Sequence, residues 1–287
     1  MEAGKSQLSA DPGVRAPSST PGAPPVLSTI RRSLRIVWDH LGLVCGVSVT
    51  FFAVAVVGLS VLSAAFRITG MGLVWQIGAT GLWFALAMAP LYGGISLVAH
   101  RMVAHRVLPG EPPCYADLWL GFRAIWRRAA LLGLVELAVL AVLVGNLVFY
   151  MSRSGFGFLL LAAIFLYLLA FWLANIMYHW PLFIAAEEGL IPTTELPGVR
   201  GRARVSAALR NALILVVGGP LPTLVVGGFL ALTGLILVVS GIGLVFVVPG
   251  YVAVVSAQAV WDQLVRMGVI EAPPDPDAPA PDPGMRV

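Results

Sequence analysis

The chain has 287 residues, of which 59% are hydrophobic and only 11% are charged, and its net charge is +4. Soluble domains carry about 25% charged residues, so this composition argues against a water-soluble enzyme and indicates a protein with several membrane spans. The positive charges lie beside apolar runs, which favours a role in membrane orientation over nucleic-acid binding. Cys45 and Cys114 show no CxxC or ligand spacing and are interpreted as ordinary reduced thiols.

The two ends of the chain differ from its middle. Residues 1–25 are rich in Pro, Ser, Gly and Ala and lack the apolar region of a signal peptide. Residues 271–287 contain the run APPDPDAPAPDPG, which is typical of an extended acidic tail. Both segments are predicted to be disordered tails that flank a membrane domain over residues 26–270.

The first helix is predicted over Leu27–Leu41. Large apolar residues recur along one helical face, while Arg31, Arg32 and Arg35 lie off that face. Such a helix is suited to lie in the membrane interface, with its arginines toward anionic headgroups of the inner leaflet. A surface helix of a soluble domain would look similar, and the apolar run that follows decides for the membrane.

Six membrane spans follow, because the apolar runs match the roughly 20 residues that cross a bilayer. The last two spans come from one charge-free run, which we divide at a turn near Ser240–Gly243; a turn at Thr233–Gly234 is the alternative. The expected fold is an all-α membrane protein with six transmembrane helices in three hairpins, each preceded by a cytosolic amphipathic or basic helix. The predicted spans are residues 41–66, 73–99, 129–150, 156–185, 212–239 and 243–264.

The basic residues predict the orientation of these spans. Of the 18 Lys and Arg residues, only Arg67 and Arg153 fall in the predicted outer turns. Loops rich in Lys and Arg stay in the cytosol, so both termini and the segment His100–Arg128 are predicted to be cytosolic. The basic residues expected at the membrane surface are Arg31, Arg32, Arg35, Arg123, Arg127 and Arg128.

The segments that enter spans one, three and five share a pattern of a basic, amphipathic lead before the apolar run. They read SLRIVWDHLGLV from Ser33, GFRAIWRRAALL from Gly121 and RVSAALRNALIL from Arg204. The pattern indicates three repeated units, and many transporters are built from such repeats. The alternative is that any segment entering a span from the cytosol is basic and amphipathic.

Proline residues recur in the predicted spans, mostly in their inner halves. An interior proline frees a backbone carbonyl and kinks the helix, and in lipid that carbonyl needs a partner or a water-filled cavity. We interpret the breaks as the walls of a cavity open to the cytosol; the alternative is the ordinary frequency of Pro in transmembrane helices. The helix breaks near this candidate cavity are Pro90, Pro181, Pro220 and Pro222.

Glu136, Asn175 and His179 form a candidate polar cluster inside the spans. Glu136 lies seven residues into span three and His179 lies six residues from the end of span four, so both are about 10 Å deep. Asn175 lies one turn from His179 on the same face. We predict that Glu136 faces span four within reach of His179 or Asn175. An ionisable residue in a span is a functional hypothesis, and the alternative is a bond that only joins two helices.

No HExxH, GxSxG or GxxxxGK[ST] motif and no Cys/His ligand cluster occurs in the sequence. We therefore predict that the protein is not an enzyme and binds no metal and no cofactor. The absence of a nucleophile also argues against a lipid-handling enzyme. The expected function is an accessory or scaffold component of the membrane, and the alternative is a small transporter with a polar cavity facing the cytosol.

Short motifs around the basic segment support a resemblance to a known family. Over residues 34–266 the chain resembles the YesL-like family of bacterial integral membrane proteins, although its members are often shorter and lack the two Pro-rich tails. The resemblance implies a bacterial inner membrane, membrane transport proteins as partners and an accessory role in carbohydrate uptake, with no catalytic residues to transfer. The matching motifs are Ala89-Pro90-Leu91-Tyr92, Gly110-Glu111-Pro112, Asp117-Leu118-Trp119, Phe122-Arg123 and Leu209-Arg210-Asn211-Ala212.

Overall fold

The computed structural model describes residues 26–106, 110–189 and 204–270, and these residues are helical almost throughout. The tails predicted over residues 1–25 and 271–287 lie outside the described residues. A short π-helical turn, Phe84–Met88, joins α3 to α4 without interrupting the helical path. The helices of the described chain are α1 (Val26–Asp39), α2 (Leu41–Thr69), α3 (Leu73–Trp83), α4 (Ala89–His105), α5 (Ala116–Met151), α6 (Phe156–Glu187), α7 (Val205–Gly218), α8 (Pro220–Val239), α9 (Ile242–Phe246) and α10 (Val248–Arg266).

Five helical segments of the described chain are long and apolar enough to cross a membrane, by length and composition. They are α2, the continuous segment Leu73–His105, α5, α6 and α8. Helix α7 is apolar but shorter, with 14 residues. The all-α prediction is confirmed, and these long apolar helices are compatible with a protein that crosses a membrane several times.

Two helices predicted as continuous are divided in the structure. The segment predicted as span five breaks at Gly219, and the segment predicted as span six breaks at Val247. Proline follows each break, because Pro220 and Pro249 have no N–H to give to a preceding turn and instead occupy the first turn of a new helix. Prediction from hydropathy alone missed both interruptions.

The turn predicted near Ser240–Gly243 is present. Helix α8 ends at Val239, and Gly241 adopts a positive φ of 67°, a conformation that glycine reaches without steric cost. Thr233 and Gly234, the alternative position, lie inside α8. The basic segment before span three behaves differently from the prediction, because it continues into that span as the single helix α5 of 36 residues.

The packed core lies at one end of the bundle. Buried side chains are concentrated in α10, in α4, in the first half of α5 and in the last turns of α6, and α1 packs against α10 at the same end. The opposite ends of α2 and α6 are mostly exposed, and α3 has no buried residue. The buried polar residues are therefore gathered at the end of the bundle where α1 lies.

Candidate functional site

Helix α10 occupies the centre of the packed end. It contacts α1, α2, α4, α6 and α8, and its residues from Pro249 to Leu264 are buried with few exceptions. Because protein surrounds this helix, its polar side chains must find hydrogen-bond partners inside the molecule. The buried polar residues of α10 are Ser256, Gln258, Asp262 and Gln263.

The carboxylate of Asp262 is 3% exposed and binds side chains from two helices. The Thr29 hydroxyl of α1 donates to Oδ2 at 2.6 Å, and the Gln258 amide of α10 donates to Oδ1 at 2.8 Å. The Arg32 guanidinium of α1 lies 3.5 Å from Oδ1 and adds the opposite charge. A buried carboxylate is stable only with such partners, so Asp262 fastens α1 to the core.

A second chain of hydrogen bonds begins at the neighbouring residue. Gln263 donates to the Tyr178 hydroxyl of α6 at 2.9 Å, and the Tyr178 and Thr223 hydroxyls are 3.0 Å apart. The Thr223 hydroxyl of α8 donates to the Gly219 carbonyl at 2.8 Å, beside the break between α7 and α8. The two sets of contacts meet on α10 and form one α10 polar network: Thr29, Arg32, Tyr178, Thr223, Gln258, Asp262 and Gln263.

A small hollow lies between α1, α8 and α10 beside this network. Its volume of about 10 Å³ is close to the space that a single water molecule needs. Apolar residues form one wall and polar residues form the other, so a water there would have hydrogen-bond partners on one side only. The lining residues are Val26, Thr29, Pro222, Val226, Ala259, Asp262, Gln263 and Arg266.

The predicted contact between Glu136 and His179 is present in the structure. Glu136 Oε1 of α5 lies 3.1 Å from His179 Nδ1 of α6, and the His179 side chain is 1% exposed. Asn175 is buried one turn away, but its amide donates to the Phe171 carbonyl of its own helix. The structure therefore joins two of the three predicted residues directly, and none of the three borders the hollow beside α10.

The four predicted helix breaks have different surroundings. Pro90 lies in the first turn of α4 just after the π-helical turn, and Pro181 is buried inside α6, which continues past it. Pro220 begins α8 directly after the break at Gly219. Pro222 borders the small hollow, so it is the one of the four that the structure places beside this space.

The basic residues predicted for the membrane surface divide into two groups. Arg32 reaches the buried Asp262, and Arg128 pairs with both carboxylate oxygens of Glu187 at 2.6 and 2.8 Å. These two arginines bind helices together and are not free for a surface role. The arginines that stay exposed are Arg31 and Arg35 on α1, and Arg123 and Arg127 on α5, the last two stacked on Trp119 and Trp126.

Sequence reasoning missed the α10 polar network, apart from Arg32. One signal was available, because Gln258 and Asp262 stand four residues apart and therefore on one face of a helix at the end of a charge-free run. Their partners Thr29 and Tyr178 are ordinary polar residues in the sequence, and nothing local indicates their role.

Comparison with family models, with curated proteins and with solved structures finds no match to this chain. Within the described ranges, no group of three or more His, Cys, Asp or Glu side chains could hold a metal ion. The hypothesis on function therefore depends on the geometry of the helices and of the α10 polar network.

Proposed function

We propose that the protein is a bacterial inner-membrane protein with six spans in three hairpins and with both termini in the cytosol. The five long apolar helices support this arrangement, and α9 with α10 would supply the sixth crossing. Helix α1 supports an interfacial position, because Leu27 and Trp38 are 74% and 76% exposed beside the exposed Arg31 and Arg35. Such a helix fits the boundary between acyl chains and anionic headgroups.

We propose that within the membrane the protein is a non-enzymatic accessory or scaffold component that acts with membrane transport proteins. The observation that supports this role is that the α10 polar network binds its own members and joins α1, α6, α8 and α10 into one unit. Its carboxylate and hydroxyls are engaged with one another, which suits a rigid support. The link to carbohydrate uptake comes from the resemblance to the YesL-like family.

A small transporter is the second candidate, and the Glu136–His179 pair favours it. The second ring nitrogen of His179, Nε2, is buried and has no hydrogen-bond partner in the described part of the chain. An ionisable pair inside a span, with one nitrogen left open, is the kind of group that proton-coupled transporters use. In this function, Glu136 and His179 would exchange a proton during transport.

Two measurements with the same protein separate these functions. Cells that lack the protein should take up less carbohydrate, and the wild-type chain should restore uptake. The purified protein alone in proteoliposomes should then move neither sugar nor protons faster than empty liposomes. Sugar or proton flux by the purified protein, abolished by Glu136→Gln, would establish the transporter and refute the accessory role.

A further inference from the structure

The distal half of α2 carries an open groove along one face. Its lining residues follow each other at spacings of three and four, so they share one side of the helix. The groove has a volume of about 640 Å³, within the range of about 300–1,000 Å³ found for small-molecule sites. The residues that line it are Val56, Leu59, Ser60, Ser63, Ala64, Arg67 and Ile68.

No other part of the described chain fills this groove. The ring of Trp83 packs against α2 at Gly58, where there is no room for a Cβ atom, and this contact joins α2 to the opposite arm of the hairpin. Beyond Trp83 the two arms have few contacts, and Val74 and Trp75 of α3 are 81% and 72% exposed. The groove therefore stays open from the level of Gly58 to the end of α2.

The polar groups in the groove have no partners among the described residues. Ser60, Ser63 and Arg67 are exposed and make no hydrogen bond or ion pair there. Two other hydroxyls of the same helix behave differently, because Thr50 and Thr69 each donate to the carbonyl four residues earlier. A cation and two hydroxyls thus remain available to a ligand along an otherwise apolar wall.

The spacing of these groups matches one class of ligand. Ser63 lies four residues before Arg67, which is about 6 Å along the helix, and Val56 lies about 16 Å from Arg67. An anionic phosphate at Arg67 would place ester carbonyls near Ser63 and an acyl chain along Val56 and Leu59. Charge and polarity therefore change along the groove in the order of a glycerophospholipid.

We propose that this groove is a binding site for one glycerophospholipid, with its phosphate on Arg67, an ester carbonyl accepting from the Ser63 hydroxyl, and an acyl chain along Val56 and Leu59. The proposal rests on the proposed membrane location. It does not depend on which side of the membrane Arg67 occupies, or on the accessory role in uptake. Arg153 offers a matched control, because its guanidinium lies over the Phe149 ring at the corresponding end of the second hairpin.

Native mass spectrometry of the delipidated full chain in detergent tests the site. Titration with dioleoyl phosphatidylglycerol should show one lipid that binds more tightly than the rest. Arg67→Gln should weaken this first lipid about tenfold, the equivalent of about 1.4 kcal/mol, since it removes the contact with phosphate. Ser63→Leu, which fills the groove, should also weaken it, and Arg153→Gln should not.

Further arms identify the ligand. Dioleoylglycerol, which lacks the phosphate, and inorganic phosphate, which lacks the chains, should each compete poorly with the phospholipid. Equal binding of dioleoylglycerol, an equal loss in Arg153→Gln, or a first lipid insensitive to both groove variants would overturn the proposal. A two-chain species that Ser63→Leu dissociates would assign the groove to a second copy of the chain and would also overturn it. Circular dichroism of each variant verifies that the fold is retained.

Discussion

The Thr29 hydroxyl donates a hydrogen bond of 2.6 Å to the Asp262 carboxylate, and the two residues are separated by 233 positions in the sequence. This bond joins the first helix of the described chain to the last long one. Because α10 is surrounded by five other helices, the contact anchors α1 to the core of the bundle. The exposed apolar and basic faces of α1 are left free for another surface.

Removal of the Thr29 hydroxyl should destabilise the protein. Thr29→Val keeps the shape of the side chain but leaves Asp262 with one donor fewer, which should lower the free energy of unfolding by about 1–3 kcal/mol. Unfolding in mixed micelles with increasing dodecyl sulfate measures this change. Ser33→Ala is the control, because Ser33 is equally buried but donates only to a carbonyl of its own helix. Equal losses in both variants would contradict a special role for the Thr29–Asp262 bond.

Replacement of Glu136 should separate its hydrogen bond from its charge. Glu136→Gln retains an oxygen that accepts from His179, so the free energy of unfolding should change by less than about 1 kcal/mol. Glu136→Leu leaves His179 Nδ1 buried without a partner and should cost about 1–3 kcal/mol. Unfolding in mixed micelles measures both, with Asn146→Leu as a control on the same helix, since its amide bonds only to the Val142 carbonyl. Equal stability of the Gln and Leu variants would show that the pair does not hold the helices together.

The Glu136–His179 contact could be predicted from sequence because it depends on few quantities. Helices α5 and α6 follow each other directly and rise by a constant amount per residue, so depth along each helix can be counted. The Thr29–Asp262 contact could not be predicted in this way. It depends on where α1 lies relative to a helix 230 residues later, and that placement is decided by packing of the whole bundle.

The helix positions were predictable to a similar extent. Hydropathy places the apolar segments, but it cannot distinguish a continuous helix from two short ones. The interruptions at Gly219 and Val247 depend on whether the chain gains more from a new direction than it loses in hydrogen bonds at a proline. Pro181 shows the opposite outcome, because α6 continues through it. Local sequence is similar in these cases, and tertiary packing decides the difference.

A methyl group at Gly94 should disrupt the packing of α4 against α5. A Cβ atom there would collide with the carbonyl oxygen of Leu118, which is backbone and cannot rotate away. Gly94→Ala should therefore lower the free energy of unfolding by about 1–3 kcal/mol, the usual cost of overpacking. Gly145→Ala is the control, since no atom lies within 4 Å of a Cβ at that position. A thermal melt in detergent measures both, and a Gly94→Ala variant as stable as Gly145→Ala would contradict this close approach.

Reporter fusions test the proposed orientation. Alkaline phosphatase, which is active only outside the cytosol, should be inactive after Arg106, Arg204 and Arg266 and active after Arg67 and Arg153. The physical reason is the concentration of Lys and Arg in the segments proposed to be cytosolic. A green fluorescent reporter at the same positions should give the opposite pattern. An inactive phosphatase at Arg153 would refute the six-span arrangement.

The junction between α1 and α2 should make stability depend on pH through His40. Burial lowers the pKa of His40 below its ordinary value of 6.5; the Asp39 carboxylate raises this pKa in opposition, and Arg106 and His105 lower it further. The unfolded chain therefore takes up the proton at a higher pH than the folded protein does. The stability that neutral His40 contributes is complete above pH 6.5 and is lost as the pH falls through the folded-state pKa.

We therefore expect the unfolding temperature in detergent to fall between pH 7 and pH 5, and His40→Gln should flatten that fall. Asp39→Asn should make it steeper, because it removes the one neighbour that favours protonated His40. Both variants are compared with the wild type in the same detergent, at several pH values and at constant ionic strength. A pH dependence that His40→Gln leaves unchanged would show that other groups control it, and a shallower dependence in Asp39→Asn would reverse the assigned role of that carboxylate.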